Sequence, residues 1–316
     1  MKSFFKISFI VFSFLALFYS NTFAFIEFKQ SKDISSDTEQ ARGINFKPDG
    51  TIMYITNRKL LGTSANQDGQ VTQYFLSTPF DISTAKKTSQ IDLLGGGSTP
   101  ILKYPHAIEF KPDGTKMFIV SGDQFSDIYQ YRLTTAWDSS TAEFETIHAV
   151  SRDNNTKHLR TLAFKPDGSR MFTGGKGDSG TSQIKEFILA NPWDLTSGVS
   201  AGDVSANLKT TSDTNFRNTQ FDTTGSIMYI MGNTNNNIHK YTLSTPWDVT
   251  TISSASTEYD TGSRFSNMRG FIFAARFTKL FVTDDNGSTN TIFEYSAACA
   301  VTITCSDLSN LSLIHI

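Results

Sequence analysis

The chain reads as an all-β protein, a β-propeller of four-stranded antiparallel blades with five blades in the ring, and three observations carry that expectation. The pentapeptide FKPDG occurs three times, over residues 46–50, 110–114 and 164–168. Around each copy the apolar residues alternate with period two: Ile108 and Phe110 alternate with Ala107 and Glu109, and Met117 and Ile119 continue the rhythm, as half-buried strands require. After residue 24 no stretch carries a sustained helical periodicity.

Taken in order, residues 1–24 come first. Lys2 and Lys6 precede an apolar run over residues 7–19, and Thr22, Phe23 and Ala24 form a small-x-small cleavage site, the pattern of a secretory signal peptide. An uncleaved anchor is the alternative, but the run falls short of the roughly 20 residues a spanning helix needs. The expected location is therefore exported: periplasmic, cell-surface or extracellular. No membrane span is expected after cleavage.

Residues 25–297 are expected to form the propeller. Aligned on one phenylalanine, five blocks appear: ARGINFKPDGTIMYI, PHAIEFKPDGTKMFI, LRTLAFKPDGSRMFT, FRNTQFDTTGSIMYI and MRGFIFAARFTKLFV. Their anchors are Phe46, Phe110, Phe164, Phe221 and Phe273, spaced by 64, 54, 57 and 52 residues. Blocks one to four continue into VTQYFLSTPFD, IYQYRLTTAWD, IKEFILANPWD and IHKYTLSTPWD, while the fifth reaches only IFEYS. Short strands repeated at this period describe propeller blades. FIEFKQ, residues 25–30, supplies the outer strand that block five lacks, closing the ring without an open edge. A truncated six- or seven-bladed ring is the alternative.

Within each block, Pro at the second turn position, Asp at the third and Gly at a positive φ make a tight link. Asp49, Gly50, Asp113, Gly114, Asp167 and Gly168 are read as turn residues, because block four carries Thr224 where a repeated ligand would need an acid. In the STPWD segments, Trp137, Trp193 and Trp247 are expected to pack between blades, with Asp138, Asp194 and Asp248 capping turns.

With FKPDGTKM followed by YQY-L-STPWD, these blocks resemble TolB-like and YVTN-type propeller repeats, and more closely secreted bacterial repeat proteins of unknown role. The likeness spans residues 25–296, except that blocks four and five depart with DTTG and AARFT. It implies the fold and little about function, since these scaffolds host many activities.

The formal net charge is −2, and loss of Lys2 and Lys6 makes it more acidic. That balance excludes wholesale nucleic-acid binding and a polybasic membrane face. Cys299 and Cys305 read as a local disulfide in an exported chain. Residues 298–310 read as a linker or the start of a lost region. The last six, LSLIHI, match the translation of a transposase adapter end, so residues 311–316 and His315 are expected to be a sequencing artefact.

Long polar loops (residues 57–69, 121–127, 174–182, 232–237 and 284–290) are expected on the face opposite the PDG turns, where binding on repeat scaffolds concentrates. Four residues before each anchor stand Arg42, His106, Arg160, Arg217 and Arg269, expected to ring the channel mouth on that face. One reading is an anion site for a carboxylate, phosphate or sulfate. The other makes each a strut bonded to Asp123, Asp127, Asp178, Asp284, Asp285 or strand carbonyls. His106 is the pH-sensitive member in both.

Other chemistry is sparse. Of the first-strand positions only Glu109 offers a channel carboxylate, so a paired-acid glycosidase lacks its second acid, and Asn45, Glu109, Asn218 and Gln220 make no clear metal set. His148, His158 and His239 sit in unrelated contexts. GGGS at residues 95–98 precedes a strand, unlike a phosphate loop. No cofactor is expected beyond weak Ca²⁺ binding in loops such as DDNGSTN. These readings converge on a monomeric binding or display module whose partner is an anionic small molecule, a polysaccharide or a protein. The alternatives are a hydrolase or lyase on an anionic sugar or lactone, with Glu109 or a loop Asp as base, and a structural or adhesion spacer.

Overall fold

The computed structural model describes residues 25–60, 67–93, 102–122, 126–151, 157–177, 182–208, 215–232, 234–253, 257–259 and 264–298. The expected signal peptide, Cys299, Cys305, the tail from residue 299 on, GGGS, Asp123 and Asp178 lie outside them. Among the described residues, twenty strands form five four-stranded antiparallel sheets, a five-bladed propeller.

Blade one comprises β2 (Ala41–Phe46), β3 (Ile52–Leu60), β4 (Gln67–Leu76) and β5 (Ala85–Asp92); blade two comprises β6 (Pro105–Phe110), β7 (Lys116–Ser121), β8 (Asp127–Leu133) and β9 (Ala142–Ala149). Blade three is β10 (His158–Phe164), β11 (Arg170–Lys176), β12 (Ile184–Asn191) and β13 (Asp194–Val204). Blade four is β14 (Phe216–Phe221), β15 (Ile227–Gly232), β16 (Ile238–Thr242) and β17 (Thr257–Tyr259). The fifth joins β18 (Met268–Ala274), β19 (Lys279–Asp285) and β20 (Asn290–Ala298) to β1 (Phe25–Asp33). There β1 runs antiparallel to β20, from Phe25 opposite Ala298 to Asp33 opposite Thr291. This clasp turns the edge of the fifth blade into a paired strand.

Anchor phenylalanines hold the blades together. Each meets the aromatic eight positions past the anchor of the preceding blade: Tyr54 with Phe110, Phe118 with Phe164, Phe172 with Phe221, Tyr229 with Phe273, and Phe281 with Phe46, at centroid distances of 4.3, 4.7, 4.8, 4.7 and 4.6 Å. Five such contacts close a circle, each adding about 0.5–1.5 kcal/mol beyond its buried area.

The PDG turns and the STPWD segments form one device. Asp49, Asp113 and Asp167 accept the backbone N–H of Thr51, Thr115 and Ser169, and each pairs with the lysine two residues before it. Slight burial opposes ionisation of Asp167, but its bonds to Lys165 and Ser169 hold the carboxyl down at about 2. Above each glycine lies an aromatic lid, itself in the left-handed region: Phe80, Trp137, Trp193 and Trp247 have φ of 57°, 65°, 60° and 64°. At Gly168, φ is +73° and a Cβ would stand 2.0 Å from Cδ1 of Trp193, so both conformation and space demand glycine. The lids also reach the neighbouring blade, with Phe118 to Trp193 at 6.2 Å and Phe172 to Trp247 at 6.1 Å.

Blade five solves the same problem differently. It has no STPWD segment, and Phe277 occupies the glycine position at φ 62°. With no lid from the third strand, that space is filled by its own ring, stacked on Phe273 at 5.7 Å. The departure of AARFT from KPDG is therefore a coupled change in lid and turn.

Candidate functional site

The five innermost strands surround the channel, each touching its neighbours, with β18 closing onto β2. Near the start of each, the register against the second strand slips: between Ala41 and Ile44, Pro105 and Ile108, Leu159 and Thr161, Phe216 and Asn218, and Met268 and Gly270. Inside these slips lie Arg42, His106, Arg160, Arg217 and Arg269. All five expected ring residues thus sit on β-bulges, features that add a residue to one strand and re-aim its side chain.

Each belongs to the loop-bearing end, and their partners run between blades. Arg42, only 2% exposed, donates from Nη1 to Asp285 Oδ2 at 2.6 Å and to the carbonyl of Ala41, and from Nη2 to Gln40. Arg269 reaches the same Asp285 oxygen at 3.4 Å, so one carboxylate ties blades five and one. His106 is 1% exposed, and its Nε2 lies 2.9 Å from Arg58 Nη2, joining blades two and one. The Arg58 guanidinium also lies over the Tyr104 ring at 5.0 Å. Arg160 donates to Asn215, linking blades three and four. Arg217 is buried in β14.

This end is electrostatically loaded. Burial drives Arg42 well below its ordinary range, repulsion from Arg58 and Arg269 adds to that, and Asp285 opposes it. A guanidinium stays protonated regardless, so the shift registers first the cost of burying this charge and second the proximity of two further cations. Burial works against ionisation of Asp285, yet Arg42 and Arg269 hold it below the usual carboxylate value. Burial and Asp285 raise neighbouring Asp284, which accepts the N–H groups of Asn267 and Ser266.

Three residues further along each strand, about 10 Å at 3.3 Å per residue, lies the turn-bearing end. The position before each anchor is occupied by Asn45, Glu109, Ala163, Gln220 and Ile272, all lining one cavity of ≈ 240 Å³. The amides here stitch neighbouring strands. Gln220 accepts from Phe273 N at 2.8 Å and donates to Phe273 O at 2.9 Å; Asn218 donates to Phe271 O at 2.7 Å and Asn45 to Ile108 O at 2.9 Å. Innermost strands of different blades share no main-chain ladder, and these side chains supply the missing bonds. Glu109 accepts from Asn45 at 3.1 Å. Burial pushes its carboxyl up to about 8, with the Asn45 bond working against the rise.

The loop-bearing ring was visible in the sequence because one position repeats in all five blocks. Arg58 was not singled out, being a second-strand residue whose cation recurs only in block three, as Lys176, and Asp222 escaped notice within the decayed turn of block four. Among the described residues no group of three or more His, Cys, Asp or Glu is placed to hold a metal, and no helix is long and apolar enough to cross a membrane.

No family model matches the chain, and no curated protein matches its sequence. Among solved structures it is similar to a periplasmic gluconolactonase of Pseudomonas aeruginosa, at 15% identity and a TM-score of 0.46 over 76% of this chain and 64% of that one. It is also similar to hydrazine synthase of Kuenenia stuttgartiensis, at 12% identity and a TM-score of 0.45 over 79% and 70% of the two chains. A third is a putative 6-phosphogluconolactonase of Bacteroides uniformis, at 12% identity and a TM-score of 0.41 over 80% and 71%. The chain thus spans less than two thirds of the gluconolactonase length, and these likenesses carry no information on substrate.

Proposed function

We propose that the protein is an exported binding module whose loop-bearing channel mouth takes an anionic ligand, a small carboxylate, phosphate or sulfate ester or a polysaccharide bearing such groups. One observation supports this most: Arg42 and Arg269 converge on a single oxygen of Asp285, and Arg58 lies close enough to repel Arg42. Two guanidiniums thus meet at one carboxylate with a third cation nearby, and an anion arriving at this cluster gains from their combined positive field. The bulges fit the same reading, because they place an Arg or, in blade two, His106 at this height in every blade.

A hydrolase or lyase acting on an anionic sugar or lactone is the second reading, and Glu109 favours it: a carboxyl raised to about 8 suits a general acid. It has no paired acid among the first-strand positions, so binding is the stronger conclusion.

The test is titration of polygalacturonate into the wild-type protein and the Arg160→Ala/Arg217→Ala variant, with circular dichroism confirming that both are folded. The variant is expected to bind at least about tenfold more weakly and with a shallower salt dependence. Equal affinity removes the anion site.

A further inference from the structure

The opposite end of the channel has its own chemistry. The 240 Å³ cavity, roughly eight water volumes, draws its lining from all five innermost strands and from the turns beyond them. Two carboxyl groups, Glu109 and Asp222, belong to that lining, and it contains no Lys, Arg or His. Its aromatic members are Phe164, Phe221, Trp247, Phe271 and Phe277.

Existing bonds narrow what such a space recognises. The amides of Asn45, Asn218 and Gln220 are oriented by strand-to-strand bonds, which leaves Asn218 and Gln220 one N–H each beyond those bonds. Asp222 takes the N–H of Ile227 at 2.9 Å and the hydroxyl of Thr224 at 2.6 Å, so it is held in the turn and contributes charge. Glu109 has one partner, Asn45 at 3.1 Å, and keeps acceptor capacity toward the cavity. The lining thus joins a carboxyl with open acceptor capacity, a second acid and aromatic surface to the hydroxyl residues Thr219 and Thr223.

We propose that this turn-bearing end of the channel is a binding site for a small organic cation, of the alkylammonium or quaternary ammonium class, with Glu109 as its counter-ion and the aromatic walls contributing cation–π attraction. Cationic ligands gain from ring faces where they are withdrawn from water, and a carboxylate within a few ångströms adds a Coulombic term that a low-dielectric pocket strengthens. The ligand also resolves the state of Glu109. Burial keeps that carboxyl protonated near neutral pH, and an entering cation favours the ionised form. Binding therefore expels a proton to solvent, and affinity rises with pH until Glu109 is ionised in the empty protein as well. Asp222 and Glu109 are the titratable side chains in the lining.

The experiment uses choline, which has no proton to lose, and its uncharged isostere 3,3-dimethylbutanol, each titrated calorimetrically into the whole protein and the Glu109→Gln variant. At about pH 9, where Glu109 is ionised, wild type is expected to bind choline about tenfold or more tightly than the isostere. At about pH 6 and in Glu109→Gln the preference shrinks severalfold. Near neutral pH the apparent enthalpy for wild type should vary with the ionisation enthalpy of the buffer, reporting the released proton. Saturable choline binding that survives unchanged in Glu109→Gln, equal affinity for choline and its isostere at the higher pH, or no saturable binding to folded wild type would each overturn the proposal.

Discussion

The two ends of the channel stand on the same five strands and were built by opposite rules. At the loop-bearing end, one position gives Arg42, His106, Arg160, Arg217 and Arg269, each on a bulge. Three residues on, the equivalent position gives Asn45, Glu109, Ala163, Gln220 and Ile272, two amides, one acid and two apolar residues. Uniformity at the first end produces a charged collar in which blades are cross-tied and cations crowd one another. Divergence at the second produces a cavity with individual features: two acids, a set of amide stitches, aromatic walls. A repeat scaffold can thus build a site by copying a residue or by letting the copies drift apart.

The sharpest way to break that contrast is at Asp285. Its replacement by Ala leaves Arg42 and Arg269 without the carboxylate they share, and loss of one member of a buried pair costs about 3–5 kcal/mol. Urea denaturation should show a loss of that size; a loss below about 1 kcal/mol would mean that the collar is solvated and its crowding harmless.

Glu109 gives the next effect, and its sign is opposite to that of an ordinary carboxylate. Its carboxyl is raised from 4.5 to about 8, so between these values the folded chain holds a proton that the unfolded chain has released. The corresponding stability is fully present below about 4.5 and is lost as pH rises to about 8, with a slope of at most about 1.4 kcal/mol per pH unit. Thermal melts of wild type and Glu109→Gln across that window should diverge, wild type weakening relative to the variant. Parallel curves would place Glu109 in open water.

Gly168→Ala follows. With φ at +73° and Trp193 Cδ1 at 2.0 Å from the new Cβ, the strain alone costs about 1–2 kcal/mol, and displacement of the lid adds to it. A melting temperature within error of wild type would show that lid and turn are independent. Gln220→Leu, of similar size, removes both bonds to the Phe273 backbone and should lower stability by about 1–3 kcal/mol without altering anion binding, since the stitch belongs to the other end.

How much of this was legible in the sequence follows the same division. Spacing of the FKPDG copies revealed the blade period, the fading fifth block matched its missing outer strand, and counting back from each phenylalanine located the collar. Copied positions reinforce one another when blocks are aligned. The inter-blade aromatic circle was legible in principle, because Tyr54, Phe118, Phe172, Tyr229 and Phe281 recur at a fixed offset from the anchors. The cavity was not legible: Asn45, Glu109 and Gln220 look unrelated when aligned, and only the closure of the ring turns them toward one space. Phe277 was hidden for a related reason, since a left-handed phenylalanine is understandable only once the absent tryptophan lid is seen.

The account rests on the two ends having opposite charge preference, and one paired titration tests it. Polygalacturonate and choline are each added to wild type, Arg160→Ala/Arg217→Ala and Glu109→Gln in one buffer at about pH 9, where Glu109 is ionised. The expected result is a crossed pattern: the arginine variant loses polygalacturonate and keeps choline, while Glu109→Gln loses choline and keeps polygalacturonate. Loss of both ligands from either folded variant, or of neither from both, would contradict it.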